Sequence, residues 1–389
     1  MTTIQRVMTA ELLKRVESSH LPFLQVLIGP RQTGKSTIIA QLAEYWKGSK
    51  LIESADGIAP HGAEWLEFVW QKALDMPGTT LLCIDEIQKV RGWSEVVKKL
   101  FDRDRNTNKL RVVLSGSASL TLQAGLTESL AGRYELVSSP HWGLDESHAA
   151  FGWDLSTHLK FGGYPAPAFL IEDVQRWRSF VRDSIIEPVL GRDLQTAMQI
   201  QKPALLRQLF SLVTSYPAQE ISYQKLLGQI QDHGNVATIK HYLDILKGGF
   251  LIETLEKYSP SAVVKKGSSP KMIPMAPALI HAFSNPAAVD EDPEWRGRVF
   301  ESAVGAHLLR TNCELYYWRE GDSEVDFVAI FDRQVYGIEV KSGRRKRANG
   351  LIAFKKKFPK IKTLLLDWDG GRNFLAGPAS LEALLRAGQ

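Results

Sequence analysis

The 389-residue chain has only two cysteines, Cys83 and Cys313, too few for a disulfide framework and without the spacing of a metal site. No stretch approaches the ~18 uninterrupted apolar residues of a membrane span. The opening MTTIQRVMTAELLKR lacks the apolar centre of a signal peptide, so a soluble, cytoplasmic protein with no membrane partner is expected. Internal repeats, low-complexity tracts and lipidation signals are missing as well. Strong charge is also absent: a net +5 permits an anionic partner without demanding one. What remains is an ordinary globular composition, 44% apolar and 23% charged, on a chain long enough for two to four domains.

The most informative stretch is Gly29-Pro30-Arg31-Gln32-Thr33-Gly34-Lys35-Ser36-Thr37, between an apolar run (Phe23 to Ile28) and an apolar-periodic segment (Ile38 to Trp46). A G-x-x-x-x-G-K-S pattern between strand and helix is a phosphate cradle. The glycines let backbone N–H groups close on an anion, and the helix aims its positive end at it. Lys35 would reach the β and γ phosphates of ATP, and the Ser36 hydroxyl would hold Mg2+.

Further on, Thr79 to Glu86 reads as a buried strand ending in two acids. In a phosphate-loop protein Asp85 would anchor the magnesium shell and Glu86 would polarise the attacking water. The next strand, Leu110 to Leu114, ends in Ser115-Gly116-Ser117, which makes Ser115 a γ-phosphate sensor or, alternatively, a capping serine. Ser129-Leu130-Ala131-Gly132-Arg133 precedes another apolar strand, and Arg133 is either a finger for a neighbouring subunit's site or a surface cation.

With GPRQTGKST, LLCIDE, LSGS and LAGR in this order, the chain resembles AAA-type ATPases, specifically a prokaryotic family that adds a winged helix and a C-terminal nuclease-like domain. The resemblance spans nearly the whole chain and implies a P-loop α/β core in residues 1–150 and a homo-oligomer, a hexamer or similar ring. Residues 151–202 look like the helical lid of such ATPases, with Arg176, Arg178, Arg182 and Arg192 all eligible to touch phosphate.

Residues 203–258 give three short helices and a strand, followed by the basic Lys265-Lys266-Gly267, a winged helix-turn-helix order. Asn235 to Lys247 would be the recognition helix, offering Asn235, Thr238, Lys240 and His241 to DNA phosphates. The same unit could instead serve only as a subunit connector. The stretch 259–295, rich in Pro, Ser and Lys, reads as connector.

In residues 296–389, Glu324 to Ile330 and Val335 to Lys341 read as two strands around a turn at Asp332-Arg333. If the turn is closed by two residues, Asp326 lies opposite Glu339, their Cβ atoms roughly 4.5 to 5.5 Å apart. Paired carboxylates repel unless a cation separates them, and a divalent ion is the expected occupant, with Lys341 on the same face. The segment resembles the D...E-x-K signature of PD-(D/E)XK nucleases, in an αβββαβ order. That resemblance adds Glu301, on a helix from Trp295 to Leu309, as a further metal ligand. Incidental acids on a solvated hairpin are the other reading. Gly343 to Arg347 and Lys355 to Lys357 are basic runs that face DNA or simply solvent.

The expected function is an ATP-hydrolysing protein acting on DNA, with a metal-dependent nuclease domain. The alternatives are a DNA motor with a silent nuclease-like domain, or an NTP-driven switch acting on protein partners.

Overall fold

The computed structural model describes residues 4–18, 22–57, 62–117, 126, 129–195, 200–230, 235–259, 268–311, 313–343 and 349–388. The chain divides into two compact units, Met1–Pro140 with Arg192–Ile200, and His141–Gly191 with Gln201–Gln389. Among the described residues no helix is long and apolar enough to cross a membrane.

The first unit is built on five parallel strands: β1 (Leu24–Gly29), β2 (Ser49–Ser54), β3 (Thr80–Asp85), β4 (Leu110–Ser117) and β5 (Tyr134–Ser138). Their order is β2-β3-β4-β1-β5. Parallel strands require crossover connections, here helices, and helices on both faces bury the sheet completely. This is why β1 is buried at all six positions and why β1, apart from Gln25, and the centre of β3 read as apolar runs. Leu12, Val16, Ile38, Leu42, Leu81, Cys83 and Val113 share one core. Two of these, Leu12 and Val16, come from helix Val7–Val16, an amphipathic element that completes the sheet's cover. All strands end at one edge, so every strand-end motif is delivered to the same rim.

In the second unit, helix Val174–Phe180 runs on into wider turns over Val181–Ile186. Helices Pro203–Thr214, Tyr223–Gln229 and Val236–Gly248 precede β6 (Ile252–Leu255), which pairs antiparallel with β7 (Lys271–Pro274). The expected wing residues Lys265, Lys266 and Gly267 lie outside the described residues. The stretch read as connector in fact supplies β7 and helices Pro277–His281 and Ala288–Glu291. Its Met272, Ile273, Leu279 and Ile280 are fully buried, an apolar content masked in the sequence by the prolines and serines around it.

A second sheet, ordered β11-β10-β9-β8, contains β8 (Glu314–Glu320), β9 (Ser323–Phe331), β10 (Gln334–Val340) and β11 (Lys362–Leu366). With helices Pro293–Leu308 and Asn349–Lys357 the chain order is helix, three strands, helix, strand. Asp332 and Arg333 both take positive φ, 45° and 70°, the backbone that a two-residue hairpin requires. That turn fixes the register from Gln334 and Phe331 through Ile338 and Phe327.

Three buried histidines make this unit acid-sensitive. His281 donates from Nδ1 to the Lys160 carbonyl at 2.9 Å and accepts at Nε2 from Trp295 Nε1 at 3.2 Å, so its neutral form uses both nitrogens. Burial lowers His281 to about 4 and His158 to about 3, and pushes His307 well down. These folded values lie below the unfolded one of about 6.5, so only the unfolded chain takes up protons as pH falls from 6.5 towards 4. The histidine contribution is therefore flat above pH 6.5 and is lost below it, at about 1.4 kcal/mol per pH unit for each histidine, while Glu301 and Glu339, raised to about 8 and about 7, act in the opposite direction over the same range. Denaturant melts of wild type and His281→Gln at pH 7.5 and 5 check this: the variant should lose less stability on acidification than the wild type, and equal losses contradict it.

Candidate nucleotide site and a buried carboxylate cluster

Gly29 ends β1 where the chain must turn under its neighbour: a Cβ there would lie 2.1 Å from the Ser139 carbonyl oxygen. The loop closes at Gly34, whose φ of +93° is open only to glycine at little cost, and helix Lys35–Tyr45 starts at once. Thr33 Oγ1 donates to the Pro30 carbonyl at 2.9 Å and keeps the loop tight. The loop therefore presents a helix N-terminus to an anion.

Lys35 is buried, its ammonium donating to the carbonyls of Gly29 at 3.1 Å and Pro30 at 2.7 Å. Burial pulls it down to about 8, with Glu86 and Asp85 opposing that shift. Strand order makes the rest of the site. Ser115 on β4 lies between the ends of β1 and β3, and Asp85 follows the Ile84 and Leu114 pair in register. Ser36 Oγ donates to Asp85 Oδ2 at 2.7 Å and Ser115 Oγ to Asp85 Oδ1. Glu86 has a left-handed backbone (φ 55°), its N–H bonded to Asp85 Oδ1 at 3.0 Å and its carboxylate accepting from Gln88 at 2.6 Å. The structure thus gathers Lys35, Ser36, Asp85, Glu86 and Ser115, which come from a helix and the ends of two strands. A hydroxyl and a carboxylate beside a helix N-terminus form a hard-oxygen donor set that suits a magnesium-nucleotide.

Three arginines sit differently from their motifs. Arg31 of the loop pairs through Nη2 with Asp193 Oδ1 at 2.8 Å, and a second bond from its Nε makes the pair bidentate. Arg133 forms a bidentate pair with Asp102, both bonds 2.8 Å. Its carbonyl accepts from Leu24 N, which places it at the start of β1, six residues and ~20 Å from the loop at the other end. It does not complete its own subunit's site. Arg6 was not expected at all. It is 2% exposed and donates through Nη1 to the Thr33 carbonyl (2.7 Å) and Ser139 Oγ (2.9 Å), and through Nη2 to the Pro140 carbonyl (3.0 Å). No motif marks it; a lone arginine just before an amphipathic helix looks like any surface cation.

In the second unit Asp326 and Glu339 follow the last pair of the hairpin register, Phe327 and Ile338, on neighbouring strands. Lys341 Nζ lies 2.5 Å from Glu339 Oε1, so the acid pair and the lysine share one face as expected. Asp326 Oδ2 accepts from Val340 N at 2.7 Å. The occupant is the surprise. The ammonium of Lys271, fully buried at the start of β7, lies 2.5 Å from Glu301 Oε1, 3.1 Å from Glu324 Oε1 and 3.7 Å from Asp326 Oδ1. It also donates to the Asp326 carbonyl at 3.3 Å.

Where a divalent ion held by Glu301, Asp326 and Glu339 was expected, the structure sets the Lys271 ammonium against Glu301, Glu324 and Asp326. Among the described residues no group of three or more His, Cys, Asp or Glu is set to hold a metal. Burial by itself would lower the Lys271 ammonium, yet Glu301, Asp326 and Glu324 hold it above its ordinary value. Burial raises Glu301 to about 8 and Glu339 to about 7, with Asp326 adding to both shifts.

Of the expected DNA-facing residues, Asn235 is engaged as an N-cap, accepting from Thr238 N at 2.8 Å, while Lys240 and His241 are exposed. Lys355 and Lys357 bond the Ile361 carbonyl and Glu320, both at 2.5 Å, and Lys356 is exposed. Residues 344–347 lie outside the described residues.

Comparison with known proteins gives three family matches. Residues 22–147 match a family described as AAA domain, 152–289 a domain of unknown function, DUF8612, and 296–374 another, DUF4143. The uncharacterized protein Rv2008c of Mycobacterium tuberculosis is 30% identical over 353 residues, covering 87% of this chain and 74% of its own. An uncharacterized protein of Haemophilus influenzae is 22% identical over 374 residues, covering 89% and 90%. Among solved structures, the Walker-type ATPase PABY2304 of Pyrococcus abyssi is similar at 16% identity and a TM-score of 0.47, covering 72% of this chain and 96% of that one.

Proposed function

The chain belongs to the same family as the mycobacterial protein Rv2008c and carries an AAA domain, and from this premise we propose that it hydrolyses ATP and uses the turnover to act on DNA as a homo-oligomer. The observation that carries the ATPase reading is the convergence of Ser36 and Ser115 on Asp85 beside the buried Lys35.

In this reading Lys35 leaves the Gly29 and Pro30 carbonyls for the β and γ phosphates, where its charge offsets that developing on the transferred group. Ser36 and Asp85 would hold a magnesium ion bound with the nucleotide, which would supply positive charge against the phosphates. Ser115 senses the γ-phosphate, and Glu86 orients and polarises the attacking water. Arg133, at the far edge of its own sheet, serves the site of a neighbouring subunit after leaving Asp102, which is what makes assembly part of the mechanism.

The DNA reading rests on exposed lysines. Lys240 lies on the third helix of a helix-helix-helix-strand unit, and Lys356 on helix Asn349–Lys357. Binding of a labelled duplex should weaken about tenfold or more from 50 to 200 mM salt, and Lys240→Gln and Lys356→Gln should each lower the log–log salt slope by about one. Phosphate release measured with and without DNA at low salt tests the whole reading. A rate and assembly state indifferent to DNA would favour a switch acting on proteins. Lys271 supports the version in which the C-terminal region grips DNA without cutting it.

A further inference from the structure

Four carboxylates from three elements meet in the second unit: Glu301 from helix Pro293–Leu308, Glu324 and Asp326 from β9, and Glu339 from β10. Glu339 is 5% exposed, and its Oε2 has no hydrogen-bond partner among the described residues. Such a cluster needs positive charge, since isolated buried carboxylates are among the most costly groups in a fold. Magnesium or manganese would take oxygen ligands on all sides at about 2.0 to 2.2 Å. An ammonium at 2.5, 3.1 and 3.7 Å from Glu301, Glu324 and Asp326 fills that volume and cannot itself be a ligand. A divalent ion and the Lys271 side chain thus exclude one another.

Lys271 is also anchored by its backbone. It pairs with Leu255 across β6 and bridges to Glu220, while the next residue, Met272, donates to the Gln219 carbonyl at 3.0 Å. Withdrawing the ammonium would require either an extended detour of a fully enclosed side chain or opening of the β6-β7 ribbon.

We infer that Lys271 is the resident cation of this carboxylate site, a tethered ammonium standing where a divalent metal would otherwise bind, and that it keeps the site closed to metal in the folded chain. The inference is independent of the DNA reading, because its readout is metal binding. It also identifies Lys271 as a residue whose removal would open the site, with Lys341 remaining beside Glu339.

The experiment is Mn2+ binding to the full, nucleotide-free chain, followed by the paramagnetic resonance of free Mn2+. Wild-type binding should be unchanged by Asp326→Asn. Lys271→Ala should gain about one equivalent of Mn2+, and Lys271→Ala with Asp326→Asn should lose it. Without its ammonium the variant leaves carboxylates facing one another, so its melting temperature should fall in chelator and recover in Mn2+, while the wild type stays indifferent. Two results overturn the inference: wild-type Mn2+ binding that Asp326→Asn removes, or a folded Lys271→Ala that gains none. If Lys271→Ala fails to fold even with Mn2+, the wild-type and Asp326→Asn comparison alone still decides whether metal and lysine exclude one another.

Discussion

Replacing Lys35 by alanine or methionine is expected to reduce ATP turnover by about a hundredfold or more, the usual scale when a group that stabilises transition-state charge is lost. The same substitution should leave the nucleotide-free protein at least as stable as the wild type. Lys35 is held among carbonyls with little exposure, and burial brings it from 10.5 to about 8. Its folded value lies below its unfolded one, so at pH 7 the charged form carries a penalty on the order of 3 kcal/mol that folding must bear. Above pH 8 the folded chain can shed the proton, and the penalty fades as pH rises towards 10.5. An incoming triphosphate removes the same strain by giving the ammonium an anion. ATP should therefore raise the melting temperature of the wild type and not of Lys35→Met, while Lys35→Met melts no lower than wild type without nucleotide. A lysine variant that keeps its turnover, or still shifts with ATP, would remove the phosphate loop from the mechanism.

Arg6→Ala should produce the largest loss of stability in the first unit. The guanidinium satisfies the carbonyls of Thr33 and Pro140 and the hydroxyl of Ser139, all within 3.0 Å in a buried setting. Each buried acceptor left unpaired costs about 1 to 3 kcal/mol, so a loss on the order of 3 kcal/mol or more is expected. Thr33 lies one residue before Gly34, so the loop that cups phosphate loses a brace at the same time. ATP affinity measured on folded variant should fall with stability. Arg6→Lys should rescue little, because an ammonium cannot span three acceptors with a planar fork. Equal melting of Arg6→Ala and wild type would mean that the bonds are incidental.

Much of the nucleotide site was legible because it is written in short consecutive stretches. Gly29 to Thr37 must be contiguous to form a turn and a helix start, and Asp85 with Glu86 must end a buried strand, so both leave a local pattern. The αβββαβ order was legible for the same reason: β9 and β10 alternate with period two, and Asp332-Arg333 marks their turn. Arg6 was not legible, since its partners lie 27, 133 and 134 residues away and nothing near it departs from a solvated helix start. The pairing of Arg31 with Asp193, 162 residues on, was hidden in the same way.

Lys271 shows the limit most clearly. The sequence by itself set Asp326 opposite Glu339 on the condition that the hairpin closed on two residues, and called for a cation near them, because side-chain period and hairpin turn are local properties of the backbone. It could not name the cation. That choice belonged to tertiary structure, which brings β7, from a stretch that reads as connector, against a helix and a strand 30 to 55 residues further along and places a lysine where an ion would have fitted. Charge neutrality in a buried cluster is a three-dimensional condition, and any residue that folding delivers to the right volume can meet it.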